Sequence, residues 1–163
     1  MITQERLRSV LAYDGASGVF VWLERRGQYP AGTRAGSLNG HGHRMVAVDG
    51  RVYMAHRLAW LYVHGSWPCG QIDHINGQRD DNRIANLREA TESQNAQNRR
   101  GPSTRNAIGV LGVYVDKTRT KRPFRACIAV NGKRQHLGYF ESQAEAEAAY
   151  VARKRQVHSH CTI

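Results

Sequence analysis

Residues 71–100 read QIDHINGQRDDNRIANLREATESQNAQNRR. This run decides how the centre of the chain folds. Ile72-Asp73-His74-Ile75 predicts a short strand, and the Asn-, Gly- and Asp-rich stretch after it predicts a loop. Asn86-Leu87-Arg88-Glu89-Ala90 predicts a second strand. Thr91 opens a helix with Gln94 at the capping-box position, which puts Asn95 about one turn in. The result is strand, loop, strand and helix within thirty residues.

The polar residues of this unit suit phosphodiester hydrolysis. That reaction needs an activated water and a cation to offset charge on the phosphate. A neutral histidine can take the proton from water, because its reference pKa of about 6.5 lies near physiological pH. A hard cation such as Mg²⁺ takes oxygen ligands, which an Asp carboxylate and an Asn carbonyl supply. There is a geometric condition. Neighbours on a regular strand point to opposite faces, so Asp73 and His74 reach one phosphate only if the strand ends or twists there. Asn76-Gly77 lies in the right place to end it.

The string DHINGxxxDNRxxNLR, within about His56 to Arg99, resembles the HNH (ββα-metal) endonucleases, especially those of phage genomes and homing endonucleases. The resemblance implies His74 as general base, Asp73 and Asn95 as metal ligands, and Asn86 as the middle Asn that braces the loop and orients the histidine. The third position is often His in that family. Asn95 stands there here, a variant also seen among homing enzymes, and an Asn oxygen favours Mg²⁺ (or Mn²⁺) over zinc. Asp80, Asp81 and Asn82 read as turn and capping residues rather than ligands. Arg79, Arg83 and Arg88 read equally well as phosphate contacts or as solvated charges.

The chain has 163 residues and a formal net charge of +11. Such a balance favours a polyanionic partner. No apolar run approaches the roughly 18 residues that cross a bilayer, and the N-terminus carries no apolar leader. The three cysteines, Cys69, Cys127 and Cys161, are odd in number and widely spaced, which suits a reducing compartment. The expected location is cytoplasmic, in the host cell if the gene is a phage's.

Upstream of the central unit, Thr3 predicts a helix N-cap. Residues 19–23 predict a strand. Asp49-Gly50, between the apolar runs 43–48 and 51–55, predicts a two-residue hairpin, and 56–64 predicts a short helix. His41, His43, His56 and His64 read as turn or core histidines. Trp22, Trp60 and Trp67 read as core. Arg57 either steadies the central unit or touches DNA.

Downstream of residues 100–108, read as a linker, the chain predicts three strands and an Ala-lined helix that opens with the capping box Ser142–Glu145. Asn131-Gly132 is a second hairpin turn. Alternation in 124–130 puts Phe124, Ala126, Ile128 and Val130 on a packed face and Arg125, Cys127 and Ala129 on an open one. Leu137 and Tyr139 are expected opposite His136. Lys117, Arg119, Lys121, Arg122, Arg125, Lys133 and Arg134 crowd the open side, seven basic residues within eighteen positions. Residues 109–155 resemble the AP2 DNA-binding domain through Gly112-Val113, 124–128, Leu137-Gly138-Tyr139-Phe140 and the helix. The resemblance implies a sheet in the major groove, with Tyr114, Arg125, Cys127, Arg134 and His136 facing DNA. Much of the base-reading set of plant members is missing, which favours contacts to phosphates.

The expected fold is therefore α+β. A β-rich N-terminal part leads into a ββα-metal unit (1–99, core about 56–99), followed by the linker 100–108 and an AP2-like domain (109–157). The expected function is a metal-dependent endonuclease acting on double-stranded DNA. The alternative is a non-catalytic, sequence-specific DNA-binding protein built on a degenerate nuclease core.

Overall fold

The computed structural model describes residues 1–102 and 106–163. The chain is α+β and forms two compact units, Met1–Glu92 and Ser93–Ile163. Residues 103–105, inside the segment read as a linker, lie outside the described residues.

The first unit runs α1 (Gln4–Val10), β1 (Leu11–Asp14), β2 (Val19–Trp22), β3 (Ser37–Leu38), β4 (Arg44–Val48), β5 (Arg51–Met54), α2 (Ala55–His64), β6 (Gln71–His74) and β7 (Leu87–Ala90), with a 3₁₀ turn over Ile84–Asn86. Helix α1 starts where the sequence predicts, with Thr3 Oγ1 accepting from the Arg6 backbone N–H at 3.2 Å. The strands form three small antiparallel sheets: β1–β2, β3–β4–β5 and β6–β7. Asp49 and Gly50 both take positive φ, 50° and 74°, the left-handed pair that the hairpin between β4 and β5 requires. The sheets and helices close on one core containing Leu7, Leu11, Phe20, Val46, Val48 and Leu58. Truncating a residue such as Leu58 there costs about 2–5 kcal/mol. Trp22 is buried, and Trp60 and Trp67 pack at the margin.

Helix α3 (Glu92–Gln97) spans the division between the units. In the second unit, β8 (Val113–Val115), β9 (Phe124–Val130) and β10 (Lys133–Phe140) form an antiparallel sheet in the order β10–β9–β8. Helix α4 (Gln143–Val157) packs on it. Ser142 caps α4 by accepting from the Glu145 N–H at 3.2 Å. Asn131 and Gly132 turn with φ of 51° and 76°. The packed face carries Phe124, Ala126, Ile128 and Val130, as alternation predicts. A Cβ on Gly112 would lie 2.1 Å from the Tyr150 ring, so this position needs a residue without one. Among the described residues no helix is long and apolar enough to cross a membrane.

Candidate active site

Strand β6 carries Asp73 and His74 into the first unit, both buried. The strand ends at His74, because the Gly77 N–H donates to the His74 carbonyl at 2.8 Å and Gly77 takes φ of 74°. The strand therefore stops just after this pair, where Asn76-Gly77 predicts its end, and both residues are still in the β6–β7 register. Asp73 lies opposite Arg88 in the β6–β7 register. Its Oδ2 accepts from Arg88 Nε at 2.9 Å and Nη2 at 2.7 Å. Arg88 is thereby a partner of Asp73, the role that sequence reading left open.

The loop between β6 and β7 is held from three directions. Within the loop, Asn86 Oδ1 accepts from the Asn76 N–H at 2.9 Å, and Asn86 Nδ2 donates to Asn76 Oδ1 at 3.0 Å and to the Asp81 carbonyl at 2.8 Å. Asn86 thus braces the loop. From the second sheet, the Arg44 guanidinium grips Asp80 at 2.8 and 2.9 Å, joined by Arg34 at 3.2 Å. From the first hairpin, Tyr13 donates to the Asn82 carbonyl at 2.7 Å. Burial lifts the Tyr13 phenol to about 12, so it stays a donor across the physiological range. Gly18 presses on the same spot: a Cβ there would sit 2.3 Å from the Arg83 nitrogen. The N-terminal β-rich part, which showed no chemistry in the sequence, is the brace of this loop.

The side chain that reaches the His74 ring is Asn82, whose Oδ1 lies 3.3 Å from His74 Nε2. Asn82 is fully buried. Its Nδ2 donates to the Asp80 carbonyl at 3.1 Å, which leaves Oδ1 as the atom facing His74. An amide oxygen only accepts. His74 Nε2 is therefore the protonated nitrogen, and Nδ1 carries the lone pair. Asp81 takes a different role. Its carboxylate accepts from Arg83 at 2.6 and 2.8 Å and from Asn76 Nδ2 at 2.6 Å, and these contacts hold its pKa down to about 2. The reading of 80–82 as structural residues fits these contacts.

Two histidines read as turn or core residues come to the same place. His43 ends the loop before β4, shaped by Asn39 Oδ1 accepting from the His41 and His43 N–H groups at 2.9 and 3.0 Å. His56 lies in the first turn of α2. The three ring centroids of His43, His56 and His74 are 5.1 to 5.6 Å apart. One ligating atom from each lies within 4.8 Å of the other two. Burial lowers the pKa of all three, that of His56 to about 3, and His56 and His43 are lowered further by neighbouring imidazoles. For His74, the Asn82 contact and the nearby Asp73 and Asp81 charges oppose the effect of burial. The only sequence clue to this cluster was the place of His56, at the start of the helix that leads to the site.

Other assigned residues fall into place locally. Arg57 donates to the Gly70 and Pro68 carbonyls at 3.0 and 3.3 Å, so it steadies the turn that feeds β6. Arg79 donates to the His41 carbonyl at 2.8 Å. Asn95 is on α3 and belongs to the second unit.

In the second unit, Lys117, Arg119, Lys121, Arg122, Lys133, Arg134 and His136 are exposed, and Tyr114 and Arg125 half-buried. Two expectations are corrected. Cys127 is buried, with Sγ 3.8 Å from His136 Nδ1, so it presents no open surface. Tyr139 does not lie opposite His136. A register shift between His136 and Gly138 turns it, and the two rings meet with centroids 4.8 Å apart. A bulge of this kind re-aims every side chain after it. The open face therefore gains an aromatic residue, with Arg119 stacked 3.9 Å from the Tyr139 ring centre. Arg125 and Arg134 flank Tyr114 at 5.8 and 5.4 Å.

Residues 53–97 match the family model described as HNH endonuclease. This stretch takes in the end of β5 and all of α2, β6, β7 and α3, and over it the chain is similar to a nuclease-type domain. Comparisons with curated proteins and with solved structures gave no match.

Proposed function

We propose that the protein is a divalent-metal-dependent DNA endonuclease in which His74 is the general base. The observation that carries this reading is the buried contact of Asn82 Oδ1 with His74 Nε2, which favours the tautomer with its lone pair on Nδ1. The nuclease-family match over the same residues supports it.

By the sequence resemblance, Asp73, whose carboxylate is buried, and Asn95 would supply the oxygen ligands that a hard cation takes. When bound, such an ion polarises the phosphate and offsets its charge. The chain's own residues handle the water. His74 takes a proton from it, the resulting hydroxide attacks phosphorus, one P–O bond to a sugar breaks, and the leaving alkoxide takes a proton from solvent. Arg88 holds Asp73 in place, and Asn86 keeps the loop closed beside the histidine.

The second unit is proposed to hold double-stranded DNA through the open face of β8–β9–β10, in the manner of the AP2 domains it resembles. Its exposed basic residues and the Tyr114 and Tyr139 rings support contacts to phosphates and sugars. Tethering this unit to the first raises the local concentration of DNA at the cutting site.

A plasmid assay tests the reading. Supercoiled DNA should be nicked or linearised with Mg²⁺ or Mn²⁺ and stay intact in EDTA. His74→Ala should bind DNA and fail to cut. Normal cutting by that variant overturns the assignment of the base, and binding without cutting by the unaltered chain favours a non-catalytic DNA-binding protein.

A further inference from the structure

We propose that His43, His56 and His74 form a site for a borderline transition-metal ion of the Zn²⁺ class, distinct from the oxygen donors of the proposed catalytic cation. Three observations in the first unit carry this.

The first is convergence. The histidines come from three elements, the loop before β4, the first turn of α2 and the end of β6, yet offer one ligating atom each within 4.8 Å of the others. Zinc binds imidazole nitrogen at about 2.0–2.1 Å, which in tetrahedral geometry sets the nitrogens about 3.4 Å apart. The rings need to close by at most about 1.4 Å, within reach of side-chain rotation.

The second is unmet bonding. His43 Nδ1 and His56 Nδ1 are buried and have no hydrogen-bond partner. Buried polar atoms are normally paired, and those that are not call for an explanation. A cation in the space between the rings would take both lone pairs.

The third is support behind a ligand. A metal-bound imidazole almost always donates its other N–H to an acceptor that fixes its tautomer. Asn82 Oδ1 does this for His74 Nε2, so Nδ1 is the nitrogen that can ligate. Donor chemistry separates the two ions. Imidazole nitrogen suits zinc, cobalt and nickel, whereas Mg²⁺ prefers carboxylate, carbonyl and water oxygens.

The site has a consequence that rests on the proposed role of His74. An ion on Nδ1 takes the lone pair that the base would use, so zinc blocks cutting that Mg²⁺ supports. The three-histidine site is then an inhibitory one, and its occupancy sets whether the nuclease is on.

The test uses the full chain, stripped with a chelator, with His160→Ala and Cys161→Ser introduced because the C-terminal run His158-Ser159-His160-Cys161 offers imidazole and thiol ligands of its own. Titration with Co²⁺ is followed by its visible absorption, and Zn²⁺ by competition with a chromophoric chelator. The expected result is one ion per chain, with affinity falling at least about tenfold in His43→Ala and in His56→Ala and unchanged in Asp73→Asn. Should the alanine variants fail to fold, ring ¹⁵N shifts of the three histidines in the parent chain decide: all three move on adding Zn²⁺ if the site is real. Absence of stoichiometric binding, or shifts confined to other histidines, overturns the proposal. The cutting assay is scored separately. Zinc bound at the three histidines without loss of cutting leaves the site standing and removes His74 as base. Cutting that persists in a chain that binds no zinc leaves the function standing and removes the site.

Discussion

Asn82 Oδ1 stands 3.3 Å from His74 Nε2, and Asn82 is held on its other sides by the Tyr13 hydroxyl and the Asp80 carbonyl. One buried amide thus links the first hairpin, the loop and the histidine. The loop is short of regular hydrogen bonding of its own, so its order depends on such side-chain contacts. That makes Asn82 a positioning residue for His74, and the first prediction follows from it.

Asn82→Ala should lower kcat for DNA cutting by about 10–100-fold, the usual cost of losing the partner that orients an imidazole. DNA affinity and KM should change little, because Asn82 is buried and touches no substrate. Ring ¹⁵N shifts should show His74 passing from one tautomer to a mixture. A fall in kcat with the tautomer unchanged would mean that Asn82 acts only through stability.

Gly18 should be far less replaceable than Gly50. Both take φ of 74°, so alanine at either position pays a left-handed penalty of about 1–2 kcal/mol. At Gly50 nothing lies within 4 Å of the added Cβ, whereas at Gly18 it meets the Arg83 nitrogen at 2.3 Å and the Asn82 carbonyl carbon at 2.5 Å. Both atoms are backbone and cannot swing aside, which adds about 1–3 kcal/mol. Thermal unfolding of Gly18→Ala and Gly50→Ala should show the larger loss for Gly18. Equal losses would mean that the hairpin does not press on the loop.

The sequence made some of this legible and hid the rest for physical reasons. The two hairpin turns were legible because only a few residue types accept positive φ, and Asp49-Gly50 and Asn131-Gly132 are such pairs. The strand bearing Asp73 and His74 was legible from its motif and from the Asn-Gly after it. The meeting of His43, His56 and His74 was not, because it depends on how three elements pack and no local pattern encodes that. The brace at Tyr13 and Gly18 was hidden for the same reason: Tyr13 and Asn82 are 69 positions apart. Tyr139 was misplaced because strict alternation fails after a bulge; the local mark of it was Gly138, an isolated glycine inside the strand that takes φ of 137°.

On the open face of the second unit, Arg134→Ala should weaken DNA binding and flatten its salt dependence. Each phosphate contact contributes a log–log slope of about −0.9 for duplex DNA. Losing one contact should therefore reduce the slope by about one, similarly across DNA sequences. Tyr139→Ala should weaken binding without changing the slope, since it carries no charge, although it also releases Arg119 from its ring. Fluorescence anisotropy at several salt concentrations measures both. An unchanged slope for Arg134→Ala would remove it from the phosphate contacts.

Acid should loosen the loop through Asp81. Its contacts with Arg83, and behind them Asn76, hold the folded-state pKa near 2, against about 3.9 in an unfolded chain. The folded state therefore binds its proton later than the unfolded state does. The stabilisation is complete above about pH 4, and falls away as pH drops towards 2. Arg83 is half exposed, so solvent screening limits the effect to on the order of 1 kcal/mol. Asp81→Asn should remove this part of the acid dependence: below pH 3 the variant and the parent should unfold at similar denaturant concentrations, and at pH 6 the parent should be the more stable. Urea titrations at pH 2.5, 4 and 6 measure it. A constant gap between the two proteins over that range would mean that Asp81 contributes through shape and hydrogen bonding rather than through its charge.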